Sequence, residues 1–330
     1  MKESATVLTI LGETIKPGES REAAFNIAKL HTQTPVDVPV IIERSKKPGP
    51  TILFTAGIHG DEVNGVEIVR QLIAKGINKP KKGTVICIPV INIFGFINMN
   101  RSFPDGRDLN RVFPGVKSGS LASRVANELI TEILPHVDFV IDFHTGGALR
   151  FNAPQIRIEE GNPDYDAMAE LFGAPFIVYS KNLARSFRNT CNQMGKPILL
   201  YEGGKSLHID ANVTNTGVNG AKRILHHFGM LRSNFKVSKP KKDPLYVTES
   251  KWIRAKFSGM FKSTTRIEKL VKKGEVLGHI TDPYGKFNHF VKAPNSGYII
   301  NINDAPLIYQ GDALFHISIE EEKNKGDDKS

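Results

Sequence analysis

The segment TILFTAGIHGDEVNGVEIVRQLIAK, residues 51–75, changes from a strand pattern to a helix pattern across a short turn. Residues 51–56 form a β-type apolar run. Between residues 62 and 75 the apolar side chains take helical spacing, with one stripe formed by Val66, Val69 and Ile73. A strand followed by a tight turn and a helix predicts one unit of an α/β sheet.

The same alternation extends through the first 235 residues of the chain. The sequence predicts an amphipathic helix at 121–134 and further strands at 84–91, 137–143 and 197–201. A polar loop runs from residue 92 to residue 119, and loops of that length are commonly functional. We therefore expect a largely parallel sheet with helices on both faces over residues 1–235.

The pattern changes after residue 236 to short β runs without a helical period. Val271-x-x-Gly-Glu-x-Leu-x-His-Ile280 recurs as Ile308-x-x-Gly-Asp-x-Leu-x-His-Ile317. Two copies of one motif predict a pseudo-symmetric all-β domain over 236–320. The charged tail at 321–330 is expected to be disordered.

Composition excludes several functional classes. Of the 330 residues 40% are hydrophobic, and no run is long and apolar enough to span a bilayer, so a membrane role is not expected. The net charge is +10, and residues 236–275 hold twelve Lys/Arg against four Asp/Glu. This basic stretch lacks the interleaved aromatic residues of a surface that stacks nucleic-acid bases. It is therefore interpreted as a solvated linker and edge strand that binds no nucleic acid. Two cysteines and the absence of a signal-like N-terminus favour a cytoplasmic protein.

Candidate metal ligands follow two of the predicted strands. His59 and Glu62 lie three residues apart across the turn after residue 56, and His144 ends the strand at 137–143. Ligands of open α/β sheets bind beyond the carboxyl ends of the strands, where these side chains converge. Two histidines and one carboxylate form the protein part of a catalytic zinc site. Glu202, after the strand at 197–201, suits a general base that takes a proton from water.

Four motifs in order resemble the succinylglutamate desuccinylase/aspartoacylase family of zinc amidohydrolases, which is related to the zinc carboxypeptidases. They are the segments 57–62 (GIHGDE), 108–115 (DLNRVFPG), 142–147 (DFHTGG) and Glu202 with its two glycines. The resemblance covers roughly residues 35–320 and implies a zinc-exopeptidase-like fold. It also implies one Zn²⁺ on His59, Glu62 and His144, Glu202 as the base, and the residues that hold the substrate carboxylate, Asn110 and Arg111.

The resemblance implies further contacts around this site. Asp108 is the expected hydrogen-bond partner of the first zinc histidine. Asp142 either contacts a ligand in the same way or caps the following turn. A substrate arginine is expected before the Asn-Arg pair, where Arg101 is preferred to Arg107, and another before the Glu202 strand, where Arg188 competes with Arg185.

The C-terminal repeat resembles the barrel-sandwich domain of biotinyl and lipoyl proteins. Its turn at 281–286 lacks the motif of a modified lysine, so Lys286 is expected to be an ordinary turn residue. The remaining candidate histidines are expected to have no metal role: His208, His226 and His227.

Three functions are compatible with these residues. The preferred one is a zinc-dependent hydrolase that cleaves the amide bond of an N-acyl amino acid, a small-molecule substrate. The alternatives are a carboxypeptidase-like hydrolase of short peptides and a noncatalytic binding or scaffold protein. Assembly into a homo-oligomer is possible with any of the three.

Overall fold

The structure is a computed structural model that describes residues 7–240 and 242–319. Its contacts divide into two units, one running to Ala148 and resuming over Pro154–Leu245, the other formed by Leu149–Ala153 and the chain from Tyr246 onward. The tail expected at 321–330 lies outside the described residues, and the domain boundary expected at residue 235 remains a prediction.

The first unit contains one mixed sheet and, before it in the chain, a separate two-stranded sheet. Its strands are Leu8–Ile10 (β1), Glu13–Ile15 (β2), Ser20–Lys29 (β3), Pro35–Arg44 (β4), Thr51–Ala56 (β5), Thr84–Ile88 (β6), Phe139–Gly146 (β7), Arg150–Ile158 (β8, whose first four residues belong to the other unit), Phe176–Tyr179 (β9) and Ile198–Lys205 (β10). Its helices are Val63–Ala74 (α1), Ile93–Ile97 (α2), Leu121–Glu128 (α3), Pro163–Phe172 (α4), Phe187–Gln193 (α5) and Ala211–His227 (α6). A 3-10 turn spans Leu109–Arg111, and α3 continues into a π turn over Leu129–Ile133.

The strand order across this sheet is β3-β4-β6-β5-β7-β10-β8-β9. The central strands β6, β5, β7 and β10 are parallel, whereas β3 and β4 pair antiparallel at one edge. Every residue of β5 and β7 is buried, as expected for parallel strands covered on both faces. The mixed α/β sheet expected from the sequence is confirmed.

Helices lie against both faces of the central strands. On one face α1 approaches β7 so closely that a Cβ at Gly65 would lie 2.5 Å from the carbonyl oxygen of Phe143. On the other face Cys191 of α5 packs in the same core cluster as Val140 and Ile198. The close approach at Gly65 brings the first turn of α1 to the end of β7.

The order of elements differs from the expected alternation at the N-terminus, where five strands precede the first helix. The predicted stripe of α1 is also partly wrong, because the buried side chains include Ile68 and Leu72 whereas Val66 and Ile73 are half-buried. The helix α1 faces β7 through Gly65, which has no side chain to keep the two elements apart. The spacing of apolar residues does not show which face of the helix is buried in this way.

The second unit consists of strands and turns over its described residues from 246 to 319. Its strands are Leu245–Val247 (β11, which begins one residue earlier), Ser250–Arg254 (β12), Gly259–Ser263 (β13), Leu270–Val271 (β14), Val276–Thr281 (β15), Asn288–Lys292 (β16), Gly297–Asn303 (β17), Leu307–Ile308 (β18) and Ala313–Ser318 (β19). One sheet has the order β16-β15-β13-β18, and β12, β19 and β17 pair in another. The additional C-terminal β-sheets expected from the sequence are present.

The internal repeat corresponds to two similar pieces of backbone. Each copy contains a short strand, a glycine turn and a longer strand, namely β14 with β15 and β18 with β19. Gly274 and Gly311 have positive φ angles of 85° and 93°, and Leu277 and Leu314 are fully buried at matching positions. The pseudo-symmetry is therefore structural, whereas the barrel-sandwich likeness remains a prediction.

Among the described residues, no helix has both the length and the apolar character needed to cross a bilayer.

Candidate active site

His59 and Glu62 occupy the turn that joins β5 to α1. Gly57 leaves β5 with a positive φ of 63°, and the amide of Glu62 donates to the carbonyl of His59 at 3.2 Å. This turn places Nδ1 of His59 2.6 Å from Oε1 of Glu62. Both side chains are buried, so the turn presents an imidazole and a carboxylate to one interior point.

His144 reaches the same point from the end of β7. Its Nδ1 lies 2.9 Å from Oε2 of Glu62, and the backbone amide of Thr145 donates to that same oxygen at 3.0 Å. The sequence predicted that the strand ends next to His144. In the structure β7 extends to Gly146, so His144 lies within the strand. Glu62 therefore receives one histidine on each carboxylate oxygen.

The far nitrogens of both histidines contact carboxylates. Nε2 of His59 is 3.0 Å from Asp108, and Nε2 of His144 is 2.8 Å from Asp142. Thr55 of β5 donates to the other oxygen of Asp142 at 2.8 Å. In a neutral imidazole whose Nε2 donates to a carboxylate, Nδ1 carries the lone pair and is the metal-ligating atom.

The three side chains fit a metal ion. Ligand atoms of His59, Glu62 and His144 all lie within 4.8 Å of one another. Nδ1 of His59 is buried without an aligned hydrogen bond among the described residues, despite the short contact to Glu62. Two imidazole lone pairs and a carboxylate that face each other need a positive charge between them. Two histidines with one carboxylate are the donor set of catalytic zinc.

The pKa shifts record how strongly these groups interact. Burial opposes ionisation of Glu62, but the adjacent His59 and His144 hold its pKa well below the usual range. Burial also opposes a charge on His144, yet Asp142 and Glu62 raise its pKa well above the usual value. His59 and Arg101 lower the pKa of Asp108 in spite of desolvation. The shifts show that the carboxylates of this cluster favour positive charge on the histidines beside them.

Arg101 and Arg107, the two candidates for the arginine before the Asn-Arg pair, lie in different surroundings. It donates from Nη1 to Glu62 at 3.0 Å, and from Nε and Nη2 to Asp108 at 3.2 and 3.0 Å. Arg107 pairs instead with Asp105 at 2.7 Å and is exposed. Of the two arginines, Arg101 is the one beside the candidate metal ligands.

Glu202 lies on the strand next to His144. The two residues are register partners in the parallel pair of β10 and β7, so their side chains project from the same face. The strand continues past Glu202 to Lys205, whereas the sequence predicted that it ends at residue 201. Oε2 of Glu202 is 3.5 Å from Nε of Arg157, a residue that the sequence analysis did not select.

Arg188 is buried whereas Arg185 is exposed. The guanidinium of Arg188 donates to the carbonyl of Lys181 at 3.0 Å and to the hydroxyl and carbonyl oxygens of Ser180 at 3.2 and 3.3 Å. Burial lowers its pKa to about 10, and the positive charge of Arg157 acts in the same direction, whereas Glu202 opposes the shift. Arg188 therefore belongs to the surroundings of Glu202.

Asn110 and Arg111 lie on the 3-10 turn that Asp108 caps. Oδ1 of Asp108 accepts from the amide of Asn110 at 2.8 Å while contacting His59. Oδ1 of Asn110 accepts from the amide of Phe187 at 2.8 Å, so the turn is tied to the start of α5. Arg111 is exposed and donates to the carbonyl of Asn110 at 2.7 Å.

Among the described residues, none of the remaining candidates belongs to the ligand cluster. His208 is exposed, His226 and His227 end α6, and Lys286 is an exposed turn residue whose amide donates to Asp282. The overlooked Arg157 had a detectable signal, because it is a charged residue between Ile156 and Ile158 on strand β8.

Comparison with known proteins identifies the family. The description "Succinylglutamate desuccinylase/Aspartoacylase catalytic domain" matches residues 48–228, more than half of the chain. The chain belongs to the succinylglutamate desuccinylase/aspartoacylase family. The N-alpha-acetyl-L-2,4-diaminobutyric acid deacetylase of Halomonas elongata is 27% identical over 262 residues, which cover 75% of each chain.

Solved structures share this fold. The product-bound ectoine utilization protein EutE (DoeB) from Ruegeria pomeroyi superposes with a TM-score of 0.81 and 22% identity, covering 96% of this chain and 98% of that one. A succinylglutamate desuccinylase/aspartoacylase from Rhodobacter sphaeroides gives a TM-score of 0.78 and 24% identity, covering 91% of this chain and 95% of that one. The likeness extends over both units of the present chain.

Proposed function

We propose that this protein is a zinc-dependent amidohydrolase that removes the acyl group from the nitrogen of an amino acid. The observation that carries the proposal is the buried convergence of His59, Glu62 and His144, with a carboxylate on the far nitrogen of each histidine. Family membership and the deacetylase relative, whose substrate is an acetylated amino acid, favour the same chemistry.

His59, Glu62 and His144 would hold the metal. Bound zinc supplies Lewis acidity that activates water and polarises an amide carbonyl. Asp108 and Asp142 orient the two imidazoles through Nε2, which keeps each Nδ1 available as a ligand. Arg101 pairs with Glu62 and Asp108 and balances part of their negative charge.

Glu202 performs the proton transfers in this proposal. Its carboxylate accepts a proton from the attacking water, and it then donates that proton to the amide nitrogen as the carbon–nitrogen bond breaks. The position of Glu202 beside His144 on the adjacent strand supports this role, as does its partial burial with Arg157. The products are a free amino acid and a carboxylate.

The substrate carboxylate would be held by the turn at Asn110 and Arg111. A guanidinium grips a carboxylate with two parallel hydrogen bonds, which an ammonium cannot reproduce. Arg111 is exposed and follows the cap residue that contacts His59, so its position is compatible with this role. Arg188 would contribute to the same pocket from α5.

A substrate screen tests the proposal and the peptidase alternative together. Purified protein is loaded with zinc and incubated with N-acetyl and N-succinyl amino acids, their carboxamide analogues, and dipeptides, with release of free amine as the readout. The proposal predicts turnover of N-acyl amino acids with a free α-carboxylate and little turnover of the carboxamides. Preferred cleavage of dipeptides would favour the carboxypeptidase alternative, and no turnover with bound zinc would favour a noncatalytic role.

A further inference from the structure

A groove of about 930 Å³ lies at the outer surface of the first unit, away from the ligand cluster. Its walls are α4, the C-terminal half of α6 and the segment from Leu231 to Pro240. Its volume is within the range of pockets that hold small organic ligands. The chemistry proposed above uses none of the residues that line it.

The lining of the groove combines basic and apolar side chains. The charged or chargeable side chains that line it are all basic except Glu170: Lys81, Arg223, His226, Arg232 and Lys239. The apolar lining includes Leu171, Leu231 and Phe235. Positive charge around an apolar cleft attracts a ligand that carries both an anionic group and an apolar body.

Arg223 gives the groove a buried cationic residue. It is 7% exposed, and its guanidinium donates to the carbonyl of Ser238 at 2.7 Å and to the carbonyl of Phe172. These contacts fasten the segment at 231–240 over α4 and α6. Burial alone lowers the pKa of Arg223, with no carboxylate acting on it among the described residues. Arg223 therefore adds positive charge to the wall of the groove while its hydrogen bonds hold the segment at 231–240 in place.

The groove also accounts for part of the basic stretch that the sequence analysis left as a solvated linker. Lys239 belongs to that stretch and lines the groove, together with Val237, Ser238 and Pro240. Arg232 and Lys239 are exposed, and among the described residues neither forms an ion pair with an acidic side chain. Their positive charge is therefore available to a ligand.

We propose that this groove binds a small organic anion in which a carboxylate or phosphate group is joined to an apolar body. The anionic group lies against Arg232 and Lys239, and the apolar body packs on Leu171 and Phe235. This site is separate from the proposed deacylase centre, so its test does not depend on enzymatic activity.

The fluorescent anion 8-anilinonaphthalene-1-sulfonate measures binding to the full-length protein. The double variant Arg232→Gln/Lys239→Gln should bind it at least tenfold more weakly, and added salt should reduce binding by the parent protein. The matched control, Lys16→Gln/Lys29→Gln, removes the same charge from exposed positions elsewhere and should bind like the parent. Equal affinity in the two double variants would overturn the proposal.

Hydrogen exchange locates the bound probe, and competition identifies the anionic group. The proposal predicts protection confined to peptides from 163–172 and 223–240, whereas protection only elsewhere would contradict it. Displacement by ATP assigns a phosphate ligand, and displacement by dodecanoate assigns a carboxylate with an acyl chain. If neither compound displaces the probe, the organic-anion assignment is wrong.

Discussion

Each candidate histidine ligand is oriented by a carboxylate on its far nitrogen. Asp142 illustrates the arrangement, because one oxygen contacts Nε2 of His144 and the other accepts from Thr55. The sequence left open whether Asp142 contacts a metal ligand or caps the following turn. The contact with His144 supports the first alternative, and Thr55 adds a contact from another strand that only the folded sheet brings near.

Asp142→Asn should weaken zinc binding by 10- to 100-fold, because the amide can present NH₂ to Nε2 and disturb the tautomer that leaves Nδ1 as the ligand. Zinc affinity measured by competition with a chromophoric chelator checks this expectation. Asp138→Asn is the matched control, since Asp138 accepts a backbone hydrogen bond from Thr51 at the other end of the strand. Unchanged affinity in Asp142→Asn would show that this contact does not tune the site.

Arg157 is expected to hold the carboxylate of Glu202 in its working orientation. Arg157→Gln should lower kcat about tenfold, which corresponds to roughly 1.4 kcal/mol, with little change in KM or zinc content. Arg157→Lys should recover part of the loss because it restores the charge. Steady-state kinetics on the best substrate from the screen provide the measurement.

The control for Arg157 is Arg70→Gln, which removes a surface arginine paired with Glu67 on α1 and should leave both constants unchanged. A parent-like kcat in Arg157→Gln would remove Arg157 from the mechanism. Arg157 could not be linked to Glu202 from the sequence, because β8 and β10 are adjacent only through the order of strands in the folded sheet. No local spacing in the sequence relates Arg157 to Glu202.

At the scale of elements, the start of α1 is tied to the segment after β10. The side chain of Asn64 donates to the carbonyl of His208 at 2.7 Å and accepts from the amide of Asp210 at 2.8 Å. A Cβ at Gly204, which has a φ of 74°, would lie 2.6 Å from Nδ2 of Asn64. This junction fixes the start of α1, which directly follows Glu62, against the strand that carries Glu202.

Asn64→Ala should reduce the free energy of unfolding by about 1–3 kcal/mol, because the substitution removes the side-chain hydrogen bonds to two backbone groups. Urea denaturation of the parent and variant measures the change. Asn98→Ala is the control, since Asn98 is exposed and its side chain makes one local bond to Phe94. Equal losses of stability in the two variants would show that the junction has no special weight.

The sequence predicts β5 with its observed bounds and the presence of α1 nearly as observed, because strand and helix periods follow one another there. It is less accurate where tertiary contacts override local pattern. The strand β6 ends at Ile88, directly before Pro89, whereas the sequence predicted a strand that runs to residue 91. The helix at Ile93–Ile97 lies inside the segment that the sequence predicted as a loop. The close packing of Gly65 against β7 determines which face of α1 is buried. The spacing of apolar residues in the sequence does not predict that face.

At the scale of the whole molecule, the candidate ligands come from separate parts of the chain. His59 and Glu62 lie on one turn, whereas His144 lies on a strand 82 residues beyond Glu62. A metal that joins these segments binds the folded chain in preference to the unfolded chain. Its binding free energy therefore adds to the stability of the first unit.

Removal of the metal should lower the melting temperature. A free zinc concentration one hundred times the dissociation constant contributes about 2.7 kcal/mol, which is roughly 5 to 10 °C for a unit of this size. Calorimetry of the parent with and without a chelator measures the shift. Glu62→Gln, which loses one ligand, should show little response to the chelator, and an equal response in both proteins would place the stabilising metal elsewhere.

The most direct test of the account is turnover of an N-acyl amino acid per bound zinc, measured on the same samples of the parent and of Glu202→Gln. The account predicts one zinc per chain in both proteins, and a loss of 10²- to 10⁴-fold in turnover for the variant. Chelation should abolish parent turnover, and added zinc should restore it. Turnover by the metal-free parent, or parent-like turnover by Glu202→Gln, would contradict a zinc site served by Glu202 as its base.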